Sequence, residues 1–260
     1  MHDNINADLI ILGNSRAWCQ YSPQILDSVL GTNSYNIGID GSCFNRQLVR
    51  YELYRYYISN APKYVIQNVE FFTLGHTVGY EREQFMPYLI YPYFRDRICQ
   101  IEPFSFGEFY IPMYRYYVNN VYDEFTTYDF PVKKGYFGED NKWDGSKLKE
   151  TEPYIQEIDS NSLKMFIDYI EGLQEENIKL ILVFAPIYKE GLSKVLNVEE
   201  IHGLYYDLAN KYNLSILDYA NCWLSQDTTY FYNATHLNKQ GAELFSTKLA
   251  HDLDSLGFIR

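Results

Sequence analysis

Short aliphatic runs alternate with longer amphipathic stretches along most of the chain. Five runs are typical of buried parallel strands, because each is short, apolar and bounded by turn residues. They span 8–12, 34–39, 64–70, 178–184 and 214–218. Apolar residues at helical spacing between them predict helices that begin near residues 22, 44, 160, 197 and 238. Strands that alternate with helices need right-handed crossovers, so the pattern predicts an α/β fold with a parallel sheet.

The alternation stops between residues 72 and 153. Short aromatic stretches are separated there by Gly, Pro and Asp, and no long amphipathic helix stands out. Because the segment lacks the aliphatic periodicity of a separate core, we predict one domain over 1–260, with 72–153 as an insertion over the carboxyl edge of the sheet. Many of the 27 tyrosines fall here. Two interpretations stay open: a wall for a carbohydrate or acyl groove, or biased codon usage packed into a core.

Composition excludes some classes of function. The chain has 260 residues and a net charge of −12, which gives no clustered Lys/Arg surface for nucleic acid. The four cysteines (Cys19, Cys43, Cys99, Cys222) show no zinc-ligand spacing, so free thiols are favoured over disulfides. No motif indicates a metal or a cofactor.

The sequence shows no apolar run long enough to span a membrane and no signal-peptide pattern near its start. The first predicted strand begins already at residue 8. This early start is compatible with a targeting or anchoring segment upstream of Met1, and the sequence leaves the compartment and the oligomeric state open.

Ser15 stands on a turn at the end of the first predicted strand. Gly13-Asn14-Ser15-Arg16 follows the aliphatic run and precedes a helix, at the sheet edge where open α/β folds bind ligands. A serine there can present its hydroxyl as a nucleophile. The alternative is that Ser15 caps the following helix.

A serine nucleophile needs a base, and histidine has a suitable pKa. Of the five histidines, His236 lies in a loop between the last predicted strand and the last helix, on the same sheet edge as Ser15. Asn233, three residues earlier, can reach back to the imidazole Nδ1 and turn Nε2 towards the serine. Asp218 and Asp227 are alternative partners for the ring.

The residues 13–18 (GNSRAW), 35–41 (YNIGIDG) and 233–242 (NATHLNKQGA) carry a resemblance. Together they resemble the SGNH (GDSL-like) hydrolase superfamily, whose first motif is usually Gly-Asp-Ser and whose last is Asp-x-x-His. They look most like envelope-associated members from Bacteroides-type bacteria and the SGNH-type proteins of polysaccharide O-acylation. The resemblance implies a flavodoxin-like three-layer α/β/α sandwich with a five-stranded sheet, and a periplasmic or envelope location.

The resemblance also implies roles for single residues. Ser15 takes the place of the nucleophile, His236 of the base and Asn233 of the orienting acid, while the N–H groups of Ser15 and Gly41 take the place of the oxyanion donors. The family's third motif, Gly-x-Asn-Asp, is missing after the third strand. Asn45 and Asn68 are the candidates for its oxyanion donor.

Three functions follow. The first is a serine esterase that removes short, acetyl-like acyl groups, with a small ester or a polysaccharide as substrate, through an acyl-serine intermediate. The second is a polysaccharide O-acyltransferase of the cell envelope that uses the same serine. The third is a non-catalytic binding or scaffold protein.

Overall fold

The sheet is the centre of the molecule. A computed structural model describes residues 5–76, 82–101, 104–111, 113–114, 117, 133–145 and 152–259. Five parallel strands lie in the order β2-β1-β3-β4-β5. The strands are β1 (Leu9–Leu12), β2 (Ser34–Asn36), β3 (Tyr64–Asn68), β4 (Lys179–Phe184) and β5 (Ser215–Asp218). This order is the flavodoxin-like one, so the α/β fold with a five-stranded parallel sheet is confirmed.

Helices cover both faces of the sheet. The helices among the described residues are α1 (Ser15–Gln20), α2 (Pro23–Leu30), α3 (Phe44–Tyr57), α4 (Pro92–Ile98), α5 (Phe106–Tyr110), α6 (Ser160–Glu175), α7 (Lys189–Leu192), α8 (Val198–Tyr212) and α9 (Lys239–Ser255). Helices α3, α6 and α8 pack on one face, and α1, α2 and α9 pack on the other. The result is a three-layer α/β/α sandwich.

The central strands are apolar on both sides because both sides are covered. In β1, Ile10 and Leu12 belong to the core under α3 and α6, whereas Leu9 and Ile11 belong to the core under α9. All four side chains are fully buried. The continuous aliphatic run is therefore the signature of a covered strand, and it places the next residues at the carboxyl edge of the sheet.

Several element ends differ from the sequence-based expectations. Strand β2 ends at Asn36 rather than at residue 39, and the Asn36 Oδ1 accepts the Gly38 N–H at 2.8 Å in the turn that follows. Asn197, with Glu200 three residues later, has the spacing of a capping box and so predicts that the Asn197 side chain caps α8. That prediction is wrong: the Asn197 amide bonds to the backbone of Gln156 instead and makes no capping hydrogen bond.

Two described parts of the segment 72–153 pack on the sandwich. A 3₁₀ helix (Arg82–Ile90) and α4 form a small core with α3, which includes Leu53, Phe85 and Phe94. Residues 133–145 pass beside α1 and the loop that carries His236. There Phe137 stacks on Trp18, and the Trp143 N–H donates to the Phe231 carbonyl. Residues 77–81, 102–103, 112, 115–116, 118–132 and 146–151 lie outside the described residues, so the boundaries of the predicted insertion and its place over the sheet edge stay a prediction.

All four cysteines are free thiols, and Cys19 and Cys43 are buried. Within the described ranges, no helix combines the length and the apolar character needed to cross a membrane.

Candidate active site

Ser15 is the first residue of α1, directly after the turn that ends β1. Gly13 in that turn has φ +153°, and a Cβ there would lie 2.7 Å from the Ala17 Cβ and 2.8 Å from the Asn68 Cβ. Glycine is therefore required for α1 to approach β3 so closely. Asn14 is the N-cap of α1, and its Oδ1 accepts the Arg16 N–H at 3.1 Å. Because Asn14 occupies the capping position, Ser15 does not act as the helix cap.

His236 lies in a loop that Asn233 holds together. The Asn233 Oδ1 accepts the backbone N–H groups of Thr235 and His236, both at 2.9 Å. The same oxygen lies 2.9 Å from the His236 Nδ1. The Thr235 hydroxyl lies 3.0 Å from Nδ1 and 3.2 Å from the Asn233 Oδ1. An amide oxygen only accepts, so this arrangement favours the tautomer with the proton on Nδ1.

The other nitrogen of the ring reaches the serine. The His236 Nε2 lies 2.7 Å from the Ser15 Oγ, although 221 positions separate the two residues in the chain. With the proton on Nδ1, Nε2 carries a free lone pair and the serine hydroxyl donates to it. The structure therefore brings together Ser15, His236 and Asn233, the three residues singled out in the sequence.

The imidazole is held neutral by its surroundings. Burial lowers the pKa of His236 from 6.5 to about 3, and the positive charge of Arg16 acts in the same direction. The Tyr232 ring stacks on the imidazole with centroids 5.2 Å apart and an angle of 21°. The Tyr232 hydroxyl in turn contacts the Cys19 Sγ at 3.6 Å. Tyr232 therefore restricts rotation of the imidazole from one side.

No carboxylate among the described residues contacts His236. Asp218 pairs with His202 at 3.5 Å and accepts the Tyr206 hydroxyl at 3.2 Å. Asp227 accepts the Thr229 N–H and caps a short 3₁₀ helix. Neither alternative acid stands in for Asn233.

The Gly41 turn lies beside the Ser15 turn. The Ile39 N–H donates to the Gly13 carbonyl at 3.0 Å, which ties the segment after β2 to the nucleophile turn. Gly41 has φ +58°, a left-handed conformation that glycine adopts without strain. The Ser15 amide stands at the first position of a helix, where N–H groups lack an intrahelical acceptor.

The two candidate amides for a third oxyanion donor have other contacts. The Asn45 Oδ1 accepts the Arg46 N–H, and the side chain lines a cleft between α3, α4 and α6. The Asn68 Oδ1 accepts the Tyr21 hydroxyl at 2.7 Å beneath α1. Neither contact is with Ser15 or His236.

A buried ion pair lies just after β3, at the place where the sequence lacks the Gly-x-Asn-Asp motif. The Arg16 Nη1 donates to the Glu70 Oε2 at 2.7 Å, and both side chains are 4 % exposed. Its Nη2 donates to the carbonyls of Ala185 (2.5 Å) and Pro186 (3.0 Å) after β4. Arg16 thus links the carboxyl ends of β1, β3 and β4.

Sequence reasoning missed Arg16, Glu70, Thr235 and Tyr232 as parts of this site. An arginine directly after the serine and a glutamate just after an apolar strand were the available signals, because charged residues at buried positions need partners. Their pairing across 54 positions is visible only in three dimensions.

The fold and the site define a parallel α/β protein with a serine–histidine–asparagine cluster at the carboxyl edge of its sheet. No protein-family model matches the chain, and no curated protein matches it. Several solved structures are similar to it, and three of them are described here.

A lipolytic G-D-S-L family member from Veillonella parvula DSM 2008 has 13% identity and a TM-score of 0.47, covering 94% of this chain and 96% of its own. A mutant of Axe2, an acetyl-xylooligosaccharide esterase from Geobacillus Stearmophilus, has 12% identity and a TM-score of 0.46, covering 99% and 97%. A carbohydrate acetylesterase family member from Sinorhizobium meliloti has 12% identity and a TM-score of 0.42, covering 95% and 97%.

Proposed function

We propose that the chain is a serine ester hydrolase of the SGNH type that removes short acyl groups through an acyl-serine intermediate. The observation that carries the proposal is the 2.7 Å contact between the Ser15 Oγ and the His236 Nε2. A serine hydroxyl becomes a nucleophile when a neighbouring neutral imidazole accepts its proton as the C–O bond forms.

In the first half-reaction the Ser15 Oγ attacks the ester carbonyl carbon while its proton passes to the His236 Nε2. The carbonyl oxygen becomes an oxyanion, for which the N–H groups of Ser15 and Gly41 are the proposed donors. The ester C–O bond then breaks, and the leaving alcohol takes the proton from Nε2. In the second half-reaction water repeats these steps on the acyl-serine, releasing the acid and restoring Ser15.

The role of Asn233 follows from its contact with the His236 Nδ1. The ring becomes cationic in each tetrahedral step, and the Asn233 Oδ1 accepts a hydrogen bond from the Nδ1–H group, 2.9 Å away, throughout. An amide stabilises that cation less than a carboxylate does, so we expect slower turnover than a Ser-His-Asp enzyme achieves. The low pKa of His236 acts in the same direction, because it makes the imidazolium costly.

The experiment compares the wild-type protein with the Ser15→Ala variant in hydrolysis of p-nitrophenyl acetate. Wild-type activity that the variant lowers by about a thousandfold or more supports the proposal. Equal rates for both proteins overturn it and favour the scaffold alternative. Ser34→Ala, a buried serine at the start of β2, is the matched control and should keep the activity.

The acceptor of the acyl group is the second question. Mass spectrometry of a reaction with an acetyl ester and an added polysaccharide distinguishes the two outcomes. Release of acetate supports the hydrolase. Acetyl groups on the polysaccharide, formed in a Ser15-dependent way at the expense of acetate, would instead establish the acyltransferase alternative.

A further inference from the structure

A glutamine interrupts the aliphatic core at the centre of the sheet. Gln67 lies in β3, and its register neighbours are Leu12 of β1 and Leu182 of β4. All three side chains are fully buried. Register neighbours share one face of a sheet, and Leu12 and Leu182 belong to the core under α3 and α6. A primary amide at such a position needs hydrogen-bond partners, because burying an unpaired polar group is costly.

Two side-chain amides in series connect Gln67 to the Gly41 turn. The Gln67 Nε2 donates to the Gln47 Oε1 and to the Asn68 carbonyl, both at 2.9 Å. Gln47 lies in the first turn of α3 and is also fully buried. Its Nε2 donates to the Ser42 carbonyl at 2.8 Å. We call Gln67, Gln47 and Ser42 the glutamine relay, and it ends at the residue directly after Gly41.

The segment around Gly41 is fixed at both of its ends. At its start, the Ile39 N–H donates to the Gly13 carbonyl at 3.0 Å, in the turn that presents the nucleophile. The Ser42 Oγ donates to the Ile39 carbonyl at 3.1 Å and closes the turn. At its end, the Gln47 amide holds the Ser42 carbonyl against α3. The orientation of the Gly41 peptide therefore depends on Gln47 as well as on the contact with the nucleophile turn.

The relay is not the most stable way to fill this part of the core. The Gln67 Oε1 is buried and has no hydrogen-bond partner among the described residues. An aliphatic side chain at position 67 would avoid that unpaired acceptor. Positions that break the general rules of core packing are typical of functional sites. The relay is therefore better explained by the turn that it orients than by the stability that it adds.

We propose that Gln47 is a positioning residue for the esterase reaction, because its hold on the Ser42 carbonyl keeps the Gly41 N–H directed at the oxyanion. The inference rests on the proposed function, in which Gly41 is one of the oxyanion donors. Donors that are already in place stabilise the developing charge without reorienting. Among its described contacts, Gln47 reaches neither Ser15 nor the base, so it acts through Gly41.

The test replaces Gln47 with methionine, which keeps the length of the side chain and removes both of its amide hydrogen bonds. With phenyl acetate, kcat should fall by about tenfold while KM changes by less than about twofold, because the lost stabilisation belongs to the transition state. With O-phenyl thioacetate, in which sulfur replaces the carbonyl oxygen, kcat should fall by at most about threefold, because sulfur is a weak acceptor. Gln174→Met removes another amide that donates to a backbone carbonyl, that of Tyr212, and as the control should leave both rates unchanged.

A double variant separates positioning from stability. Gln47→Met/Gln67→Met removes both amides of the relay, so it leaves no buried side-chain amide without its partner and should melt at a higher temperature than Gln47→Met. Its kcat for phenyl acetate should stay about tenfold below that of the wild type, because nothing replaces the Gln47 contact with Ser42. Recovery of kcat together with stability, or equal losses of kcat for the oxygen and sulfur esters in Gln47→Met, would overturn the proposal.

Hydrogen exchange followed by mass spectrometry examines the turn without a substrate. Peptides that cover residues 37–46 should exchange at least about fivefold faster in Gln47→Met than in the wild type, because the turn has lost one of its two fixed ends. Equal exchange would overturn the proposal whatever the esterase result. Faster exchange, together with ester hydrolysis that does not depend on Ser15, would overturn the proposed function alone and leave the hold of Gln47 on the turn established.

Discussion

His236 and His202 lie in contrasting surroundings. His202 has a carboxylate partner, Asp218, and its ring lies against Phe184 with centroids 4.0 Å apart. His236 has an amide partner, Asn233, but reaches the Ser15 hydroxyl. The acid–histidine pair typical of serine hydrolases is thus present at His202 without a serine partner among its described contacts. His236 is therefore the candidate base because it contacts a serine hydroxyl, although only His202 has a carboxylate partner.

The largest expected effect on activity comes from removing the His236 ring. His236→Ala should lower kcat/KM for p-nitrophenyl acetate by about 10³-fold to 10⁴-fold, because the serine loses its base. His202→Ala is the control, and its rate should stay within about twofold of the wild type. A larger loss in His202→Ala than in His236→Ala would reverse the assignment of the base.

The second effect concerns the charge beside His236. Arg16→Met leaves the buried Glu70 carboxylate without its partner, so the free energy of unfolding should fall by about 3–5 kcal/mol. The double variant Arg16→Met/Glu70→Leu should recover much of that loss.

Chemical denaturation measures these differences. Lys164→Met, which breaks the exposed Lys164–Asp168 pair, is the control and should leave the free energy of unfolding nearly unchanged. A loss as small as the control's in Arg16→Met would show that the ion pair does not hold the strand ends together.

Much of this arrangement follows from local sequence. The aliphatic strands, the glycine turn and the loop before α9 each depend on neighbouring residues, and they place Ser15 and His236 on one edge. The Arg16–Glu70 pair depends on β3 lying beside β1, which spacing along the chain does not reveal. Likewise, Asn197 has the pattern of a helix cap, but Gln156 competes for its side chain. Long-range partners therefore account for what sequence analysis missed.

The third effect replaces the amide partner with the acid. In Asn233→Asp the carboxylate should raise the pKa of His236 and stabilise its cation. We expect kcat/KM at pH 8 to rise by about tenfold, well short of the full effect of such an acid in a protease. No change would mean that Thr235 or Tyr232, rather than residue 233, sets the orientation of the ring.

The pH dependence of kcat/KM should also differ between the wild type and Asn233→Asp. Since the pKa of His236 is lowered to about 3, the wild-type base stays neutral, and kcat/KM should remain level from pH 8 down to about pH 5. In Asn233→Asp the acid limb should move to higher pH. A lowered histidine pKa also means that its contribution to stability is present above pH 6.5 and declines as the pH falls from 6.5 towards 3.

The smallest expected effect on activity comes from replacing Asp218, the carboxylate partner of His202. Burial raises the pKa of Asp218, but hydrogen bonds from His202 and the Ala220 N–H outweigh it, so the net pKa is lowered. Asp218→Asn should leave kcat/KM within about twofold of the wild type, because the pair is separate from the Ser15 contacts. A large loss of esterase activity would show that Asp218 supports the site.

Covalent trapping tests the central claim most directly. The protein is treated with an excess of diethyl p-nitrophenyl phosphate, which phosphorylates activated serines, and the modified residue is located by peptide mass spectrometry. The account predicts one adduct per chain, on Ser15, that forms in the wild type and not in His236→Ala. An unmodified Ser15, or equal labelling of Ser15 in both proteins, would contradict it.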